Sequence, residues 1–428
     1  MKKLKVILIG AGGRGTGYTD IMAQMPEKYE IVAVAEPIEA RREYIRKKHN
    51  VPEDMCFTTW EPLLELDKLA DVAVIATMDQ MHYEPSLKAI EKGYDLLLEK
   101  PVTPTPEECY DIAIAAKKKG VKILVCHVLR YTLFYRTLKK LIDEGAVGDI
   151  VSIHADECVG NVHQSHSFVR GNWGNEDESS FMLLQKCCHD MDILQWLMGK
   201  ECKRAHSFGS LTHFTRKNAP EGSTEFCLDG CPHMKTCPYS VENVYLGEKK
   251  VQWMRDRVTD DLNATDEEVR EALRTNNYGK CVYKSNNNVV DHQVVNLEFE
   301  DGATISFNMN AFNKGGRHIR IMGTKGELSG SAGETKITYF NFESGETKVI
   351  TPADAPLGDA IDSGHGGGDA GIINVLYDYL TVGYEGDLLS EIGVSAKNHM
   401  IAFAAEHSRL TGEVVDVEEY TKKYSKGL

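Results

Sequence analysis

Two residues carry the chemistry that the sequence suggests, Lys100 and His189. Lys100 stands directly after the apolar run 96–98, in Glu99-Lys100-Pro101. A charged group there needs a reason, because ions avoid the end of a buried strand unless they are paired or used. A partly desolvated lysine has a lowered pKa and can take or relay a proton. His189 lies in Gln185-Lys186-Cys187-Cys188-His189-Asp190-Met191-Asp192, inside a pattern that predicts a helix over 180–197, ended by Gly199. Spacings of four and three place 185, 189 and 192 on one face of such a helix. A lysine at that strand end could take the hydroxyl proton of an alcohol, which a carbinol carbon requires before it gives up a hydride.

A hydride needs an acceptor, and the amino-terminal end supplies a place for one. Residues 6–9 predict a buried strand that runs into Gly10-Ala11-Gly12-Gly13-Arg14-Gly15. This is G-x-G-x-x-G between a strand and a helix. The first glycine allows the tight turn, the second lets a pyrophosphate approach the backbone, and the third lets helix and strand pack closely. A second predicted strand ends at Glu36, where a carboxylate would accept from adenosine ribose hydroxyls and repel a 2′-phosphate. The expected coenzyme is therefore NAD, and NADP less so. Arg41 and Arg42 nearby are basic enough to hold a phosphate but read as a solvated helix face. Thr77 and His82 follow the third strand, at the carboxyl edge where ligands of such sheets bind. With Arg14 and Glu99 they complete the expected coenzyme set.

The elements that must position these groups follow from periodicity. Apolar runs at 6–9, 31–35, 72–76, 96–98 and 123–125 alternate with amphipathic stretches at 38–49, 84–92 and 106–119. Uninterrupted apolar strands between helices predict a parallel sheet covered on both faces, with right-handed crossovers. After Gly145 the texture changes. Strands are expected at 149–155, 294–300, 304–310 and 318–322, with an Asp301-Gly302 hairpin turn between two of them. The expected fold is α/β: a doubly wound Rossmann domain over 1–130, then an α/β domain over 131–428 with a mostly antiparallel open sheet. An irregular polar insertion interrupts the second domain at about 212–285, and contains one clear helix start, the capping box of Thr265 and Glu268. A carboxyl-terminal helix over 394–411, stopped by Gly412, could pack back on the first domain.

The glycine motif, Glu36, Glu99-Lys100-Pro101, the helix around His189 and the tail SAKNHMIAFAAEHSRLTG together resemble the Gfo/Idh/MocA oxidoreductase family. The resemblance spans nearly the whole chain except the insertion. It implies NAD or NADP chemistry on a sugar, an inositol or a related compound. It also implies Lys100 beside the nicotinamide and the substrate hydroxyl, and a peptide bond to Pro101 that is often cis. His189 then matches the family histidine that works with the lysine. Where the family often has an aspartate four residues earlier, this chain has Gln185, so the usual Asp–His relay is in doubt; Lys186 or Asp190 would have to compensate. Asp192 matches a family aspartate whose expected role is structural. The open face of the second sheet is expected to make a homo-oligomer, a dimer or tetramer.

The remaining candidates border the substrate. Arg130, Trp173 in Arg170-Gly171-Asn172-Trp173, and His365 in Gly364-His365-Gly366-Gly367-Gly368-Asp369 join Lys100, Gln185, Lys186 and His189 as the expected substrate set. Polar donors suit hydroxyls, and a flat aromatic face suits the C–H side of a sugar. Within the insertion, Cys227, Cys231 and Cys237 fall within eleven residues, and Cys281 or His233 would supply a fourth ligand for a structural zinc. The chain has 428 residues and a formal charge of −15, a balance that argues against nucleic acid. No apolar run is long enough to cross a membrane. The basic, apolar start breaks off in glycines without a cleavage pattern, and eleven scattered cysteines suit a reducing cytoplasm. Two rival activities stand beside the dehydrogenase: a redox-neutral NAD-dependent glycosidase, and a non-catalytic regulator that senses NAD and sugar.

Overall fold

The computed structural model describes residues 2–259, 261, 264–334, 336–352 and 365–426. Gly364, the start of the glycine-rich loop, lies outside them. The first sheet is parallel throughout, in the order β3-β2-β1-β4-β5-β6. Its strands are β1 (Leu4–Ile9), β2 (Tyr29–Ala35), β3 (Cys56–Phe57), β4 (Val72–Ile75), β5 (Asp95–Leu98) and β6 (Ile123–Val125). Every residue of β4 is buried, as expected for strands covered on both faces. The order reverses between β1 and β4, and the crevice at that switch point opens beside the glycine motif.

The second sheet runs β14-β13-β12-β11-β7-β10-β9-β8-β15. Its strands are β7 (Ile150–Cys158), β8 (Cys202–Ser210), β9 (His292–Phe299), β10 (Thr304–Asn310), β11 (Gly316–Gly323), β12 (Gly326–Ser331), β13 (Lys336–Asn341), β14 (Thr347–Ile350) and β15 (Val415–Asp416). Only the β7–β10 pair is parallel. Gly302, at φ +88°, turns β9 into β10. One face of the sheet packs on helices and alternates with a wetter one; β9 reads buried at every second residue.

The expected continuous helix over 180–197 is instead two pieces, Met182–Gln185 and Cys188–Met198. In an unbroken helix the Gln185 carbonyl would receive the His189 N–H. Here it accepts from the Lys100 ammonium at 2.7 Å. The break thus turns a backbone acceptor toward the lysine while keeping His189 on the following turn.

The helix Ile392–Thr411 wedges between the two sheets' layers. It packs on Pro106–Lys119 of the first domain and on Cys188–Met198 and β8 of the second. The helix Gly368–Thr381 packs on Gly13–Met22, and Tyr29 donates to the Ile373 carbonyl at 2.7 Å. Residues after 365 therefore cover the coenzyme-side helix, though they follow the second sheet in sequence. The insertion has its own small apolar clusters, one around Tyr245 and Val269, another around Phe214 and Tyr239. The Thr265–Glu268 capping box starts its helix Asp266–Ala272.

Candidate active site

The glycine motif has the steric signature of a dinucleotide cradle. Gly10 adopts φ +90°, and a Cβ there would meet the Ala76 carbonyl at 2.7 Å. A Cβ on Gly15 would collide with the Gly10 carbonyl. At Gly12 nothing lies within 4 Å, so its backbone faces open space. The three glycines thus divide into a turn, an open approach and a close packing contact. Beside them Glu36 is buried; its carboxylate accepts from the Ala11 N–H at 2.6 Å and the Ile38 N–H at 3.0 Å. Arg42 donates to the Glu36 carbonyl oxygen at 2.6 Å. The residues present therefore fit a dinucleotide.

Gly13 faces a group for which the sequence carries no signal. A Cβ on Gly13 would run into the Arg257 guanidinium, which belongs to the insertion. An arginine of the segment outside the family pattern thus lies over the glycine loop.

Arg14 ties this end to the reaction corner. Its guanidinium donates to Glu99 at 2.8 Å and to both Asp369 oxygens at 2.7 and 3.0 Å, and it also contacts the Tyr18 hydroxyl. Tyr18 donates to Glu99 at 2.6 Å. Burial alone would raise the Glu99 carboxyl, but Arg14 and Lys100 hold it below its ordinary value. Glu99 is thus a fixed anion under Lys100, whose own N–H donates to it at 2.8 Å. The Lys100–Pro101 bond is cis, as the resemblance implies.

Lys100 and His189 converge. The ammonium binds the carbonyl one turn ahead of the imidazole. Burial lowers His189 well below its ordinary value, and the Lys100 charge lowers it further. The ring is neutral at pH 7, and its Nδ1 is buried without a partner. Around it lie other imidazoles: His127 with ring centroids 5.8 Å away, and His365 at 6.3 Å. Gln185 completes the corner. Its amide donates to the Trp173 carbonyl at 2.9 Å, and its Oε1 is buried and unpartnered. Trp173 itself is half-exposed beside it. Lys100, His189, Gln185, Trp173 and His365 are therefore brought together.

Several expected site residues are otherwise engaged. Arg130 makes a buried two-pronged pair with Asp192 at 2.7 and 2.8 Å and donates to the Asp387 carbonyl. It braces the frame, with all three guanidinium nitrogens already donating. Asp192 also accepts from Asn398, which fits its expected structural role. His82 is buried with both ring nitrogens on carbonyls, Pro101 at 2.8 Å and Thr77 at 3.2 Å. It clamps the Lys100 turn through the Pro101 carbonyl. Thr77 donates to the Met81 carbonyl and lies against Gly10. Lys186 and Asp190, the residues expected to compensate for the missing aspartate, are each in an ion pair. Lys186 pairs with Glu157 at 3.3 Å, and Arg317 joins Glu157 at 2.7 Å to Asp190 at 2.8 Å. Arg317 of that ionic chain lies near enough to His189 for its charge to help lower the imidazole. His365 contacts Asp369 at 3.2 Å, so it is reached through the Arg14 cluster.

His127 was invisible as a motif. It follows β6, is buried, and has neither nitrogen partnered. Its ring stands 5.4 Å from that of His399. His399 is tied down: Nδ1 meets the Ser395 carbonyl and Nε2 accepts from the Val102 N–H. The one available signal for His127 is its place at the carboxyl end of an apolar strand.

The four cysteines of the insertion line one small cavity, with His233 and Arg170. Among the described residues no three His, Cys, Asp or Glu side chains already surround an ion position, so the expected zinc is not shown. No helix of the described residues is long and apolar enough to cross a membrane. A larger open groove of about 790 Å³ lies elsewhere, lined by neither Lys100 nor His189. There Lys139, Lys200 and Lys397 each already face a carboxylate.

Comparison with known proteins agrees with this geometry. Residues 4–127 match the NAD-binding Rossmann fold of an oxidoreductase family, and residues 139–353 its C-terminal alpha/beta domain. YteT of Bacillus subtilis (strain 168), a protein named as an oxidoreductase, is 23% identical over 381 residues, covering 83% of this chain and 84% of its own. An inositol 2-dehydrogenase of Corynebacterium glutamicum (strain R) is 28% identical over 199 residues, 46% of this chain and 55% of that protein. Among solved structures, levoglucosan dehydrogenase in complex with NADH and levoglucosan superposes with a TM-score of 0.69 at 17% identity, over 97% of this chain and 100% of that one. An oxidoreductase from Agrobacterium radiobacter in complex with NAD+, L-tartaric acid and magnesium gives a TM-score of 0.69 at 14% identity, over 98% and 99%. At such identity the likeness is one of fold. The two family models, laid end to end across both sheets, make this chain a member of the Gfo/Idh/MocA oxidoreductase family.

Proposed function

We propose that the protein is an NAD-dependent oxidoreductase acting on a carbinol carbon of a sugar, an inositol or a close derivative. The observation that carries this reading is the Lys100 ammonium beside a neutral, partnerless His189 at the mouth of the glycine-lined crevice. A nicotinamide coenzyme held there would supply the acceptor for a hydride. Gly10, Gly12 and Gly15 leave the backbone open to its diphosphate, and Arg257 would meet that charge from above. Glu36 would face the ribose hydroxyls and repel a 2′-phosphate, favouring NAD, because Arg42 is held on backbone carbonyls.

At the reaction corner one donor of the Lys100 ammonium is held by Gln185, leaving two for a substrate oxygen. The lysine polarises the hydroxyl, and His189 Nδ1 accepts or relays the proton. Gln185 Oε1 and the Trp173 ring supply the acceptor and the flat apolar face that a polyol uses. Arg130, His82 and Asp192 act as positioning residues.

The redox-neutral reading is favoured by one observation, the second imidazole His365 near His189, which could serve as an extra base. A relative of Escherichia coli (strain K12), 31% identical over 133 residues, is named a 2,7-anhydro-N-acetylneuraminate hydratase. The outer face of the second sheet, where Phe208 is exposed, is read as a homo-oligomer surface.

A panel of inositols, aldoses and anhydrosugars with NAD+, followed at 340 nm, tests the proposal. NADH formation that disappears in Lys100→Met supports it. Substrate conversion without NADH supports the redox-neutral reading. Tight NAD binding with no conversion of any sugar or glycoside would overturn both.

A further inference from the structure

The insertion at about 212–285 has no counterpart in the chemistry above, yet it contains a second organised cluster. Cys227 and Cys281 are brought together by a short antiparallel bridge between Phe226 and Lys280. The Cys227 N–H donates to the Gly279 carbonyl at 2.9 Å, and the Cys281 N–H to the Glu225 carbonyl at 2.8 Å. In that register 225 and 227 share a face, as do 279 and 281. Cys227 and Cys281 therefore stand diagonally on one face of the bridge. Cys231 and Cys237 come from the loop that follows, each directly before a proline. All four thiols line one cavity of about 20 Å³, roughly the room a single water or ion needs.

A second observation comes from charge. Arg170 is buried, with 2% of its surface exposed. Its guanidinium donates to the Lys280 and Tyr239 carbonyls and reaches the Cys227 sulfur at 3.6 Å, while Nη1 has no partner. Among the described residues no carboxylate faces it. The other arginines buried as deeply do have one: Arg130 faces Asp192, and Arg255 faces Asp266. A buried cation without an anion is costly. Thiolates would supply the missing charge, and clustered thiolates persist when they share a metal.

We propose that Cys227, Cys231, Cys237 and Cys281 hold a thiolate-ligated metal centre that fastens the insertion and neutralises Arg170. On binding, four S–H groups lose their protons to solvent as four sulfur–metal bonds form. The centre's role is structural: it joins the two ends of a segment whose apolar clusters are small. The donor set is that of a tetrahedral zinc ion. The described thiols are not yet gathered around one ion position, so the proposal requires the ring to contract on the ion.

The test is metal and sulfide analysis of the full-length protein, purified with reductant and without oxygen or chelator. The proposal expects about one zinc per chain. Iron with matching acid-labile sulfide in place of zinc would overturn it. Cys231→Ser and Cys237→Ser should each lower the zinc content by roughly tenfold and speed proteolysis within 212–285. Cys56→Ser, outside the ring, should leave it unchanged. NAD binding by each variant, measured calorimetrically, shows that the first domain is folded. Metal below about a tenth of a mole per chain, with the four thiols titrating as free or found in a disulfide, overturns the proposal.

Discussion

The corner around Lys100 and His189 and the ionic frame that surrounds it are satisfied in opposite ways. In the frame every charge is matched: Arg130 with Asp192, Arg317 with Glu157 and Asp190, Arg14 with Glu99 and Asp369. In the corner the polar atoms are left over: Nδ1 of His189, both nitrogens of His127 and Oε1 of Gln185. Buried polar atoms are rarely left unpaired without a reason. The charges of the frame are paired within the protein, although Glu157 Oε2 there has no hydrogen bond, whereas the corner keeps several polar atoms unpartnered. Under the proposed function, the difference separates residues that position from residues that react.

Mutations should therefore divide along that line. The largest effect is expected from Lys100→Met, which should slow turnover of the alcohol found in the panel by about a thousandfold while leaving the melting temperature nearly unchanged. Kinetics and a thermal melt on one preparation check both halves. Asp192→Asn should do the reverse. It leaves Arg130 buried without its anion and should cost about 3 kcal/mol of stability, read from denaturant unfolding, with NAD affinity kept.

The buried imidazoles sharpen the comparison through pH. Burial pushes His163, His166 and His399 down to about 3, so they stay neutral in the folded chain. In the unfolded chain they take protons near the ordinary value of about 6.5. Stability is therefore full above about pH 7 and falls as pH drops below 6.5, by up to about 1.4 kcal/mol per pH unit for each histidine. Glu99 and Asp192, held below the usual carboxylate range, add a second loss at lower pH, which begins as their unfolded forms protonate and ends below their folded values. Urea unfolding between pH 7.5 and 5 checks the first phase. The smallest effect is expected from Glu36→Ala, which should weaken NAD by about tenfold and narrow its advantage over NADP, as calorimetry with both coenzymes would show.

The same contrast explains what could be read from the sequence. The Rossmann half was legible because apolar runs without alternation and three glycines at set spacing leave few alternatives. Lys100 was legible because a charge after a buried strand is anomalous. Arg130 stood out for the same reason, whereas its pairing with Asp192, 62 residues away, leaves no local trace. β8 left little trace, since Cys202–Ser210 buries Ala205 and Ser207 in place of large apolar side chains. The break in the helix before His189 depends on Lys100, a contact across 85 residues that no local pattern encodes. Arg257 reaches Gly13 from an insertion with no motif at all.

The central claim is that the ammonium of Lys100 and the imidazole of His189 face one another across a single site. Their electrostatic coupling can be measured without knowing the substrate, by following the ¹⁵N-labelled His189 ring by NMR as pH is varied in the wild-type protein and in Lys100→Met. The positive charge holds the imidazole down, so its removal should raise the His189 pKa toward its ordinary value. A His189 titration that is the same in both proteins would contradict the account.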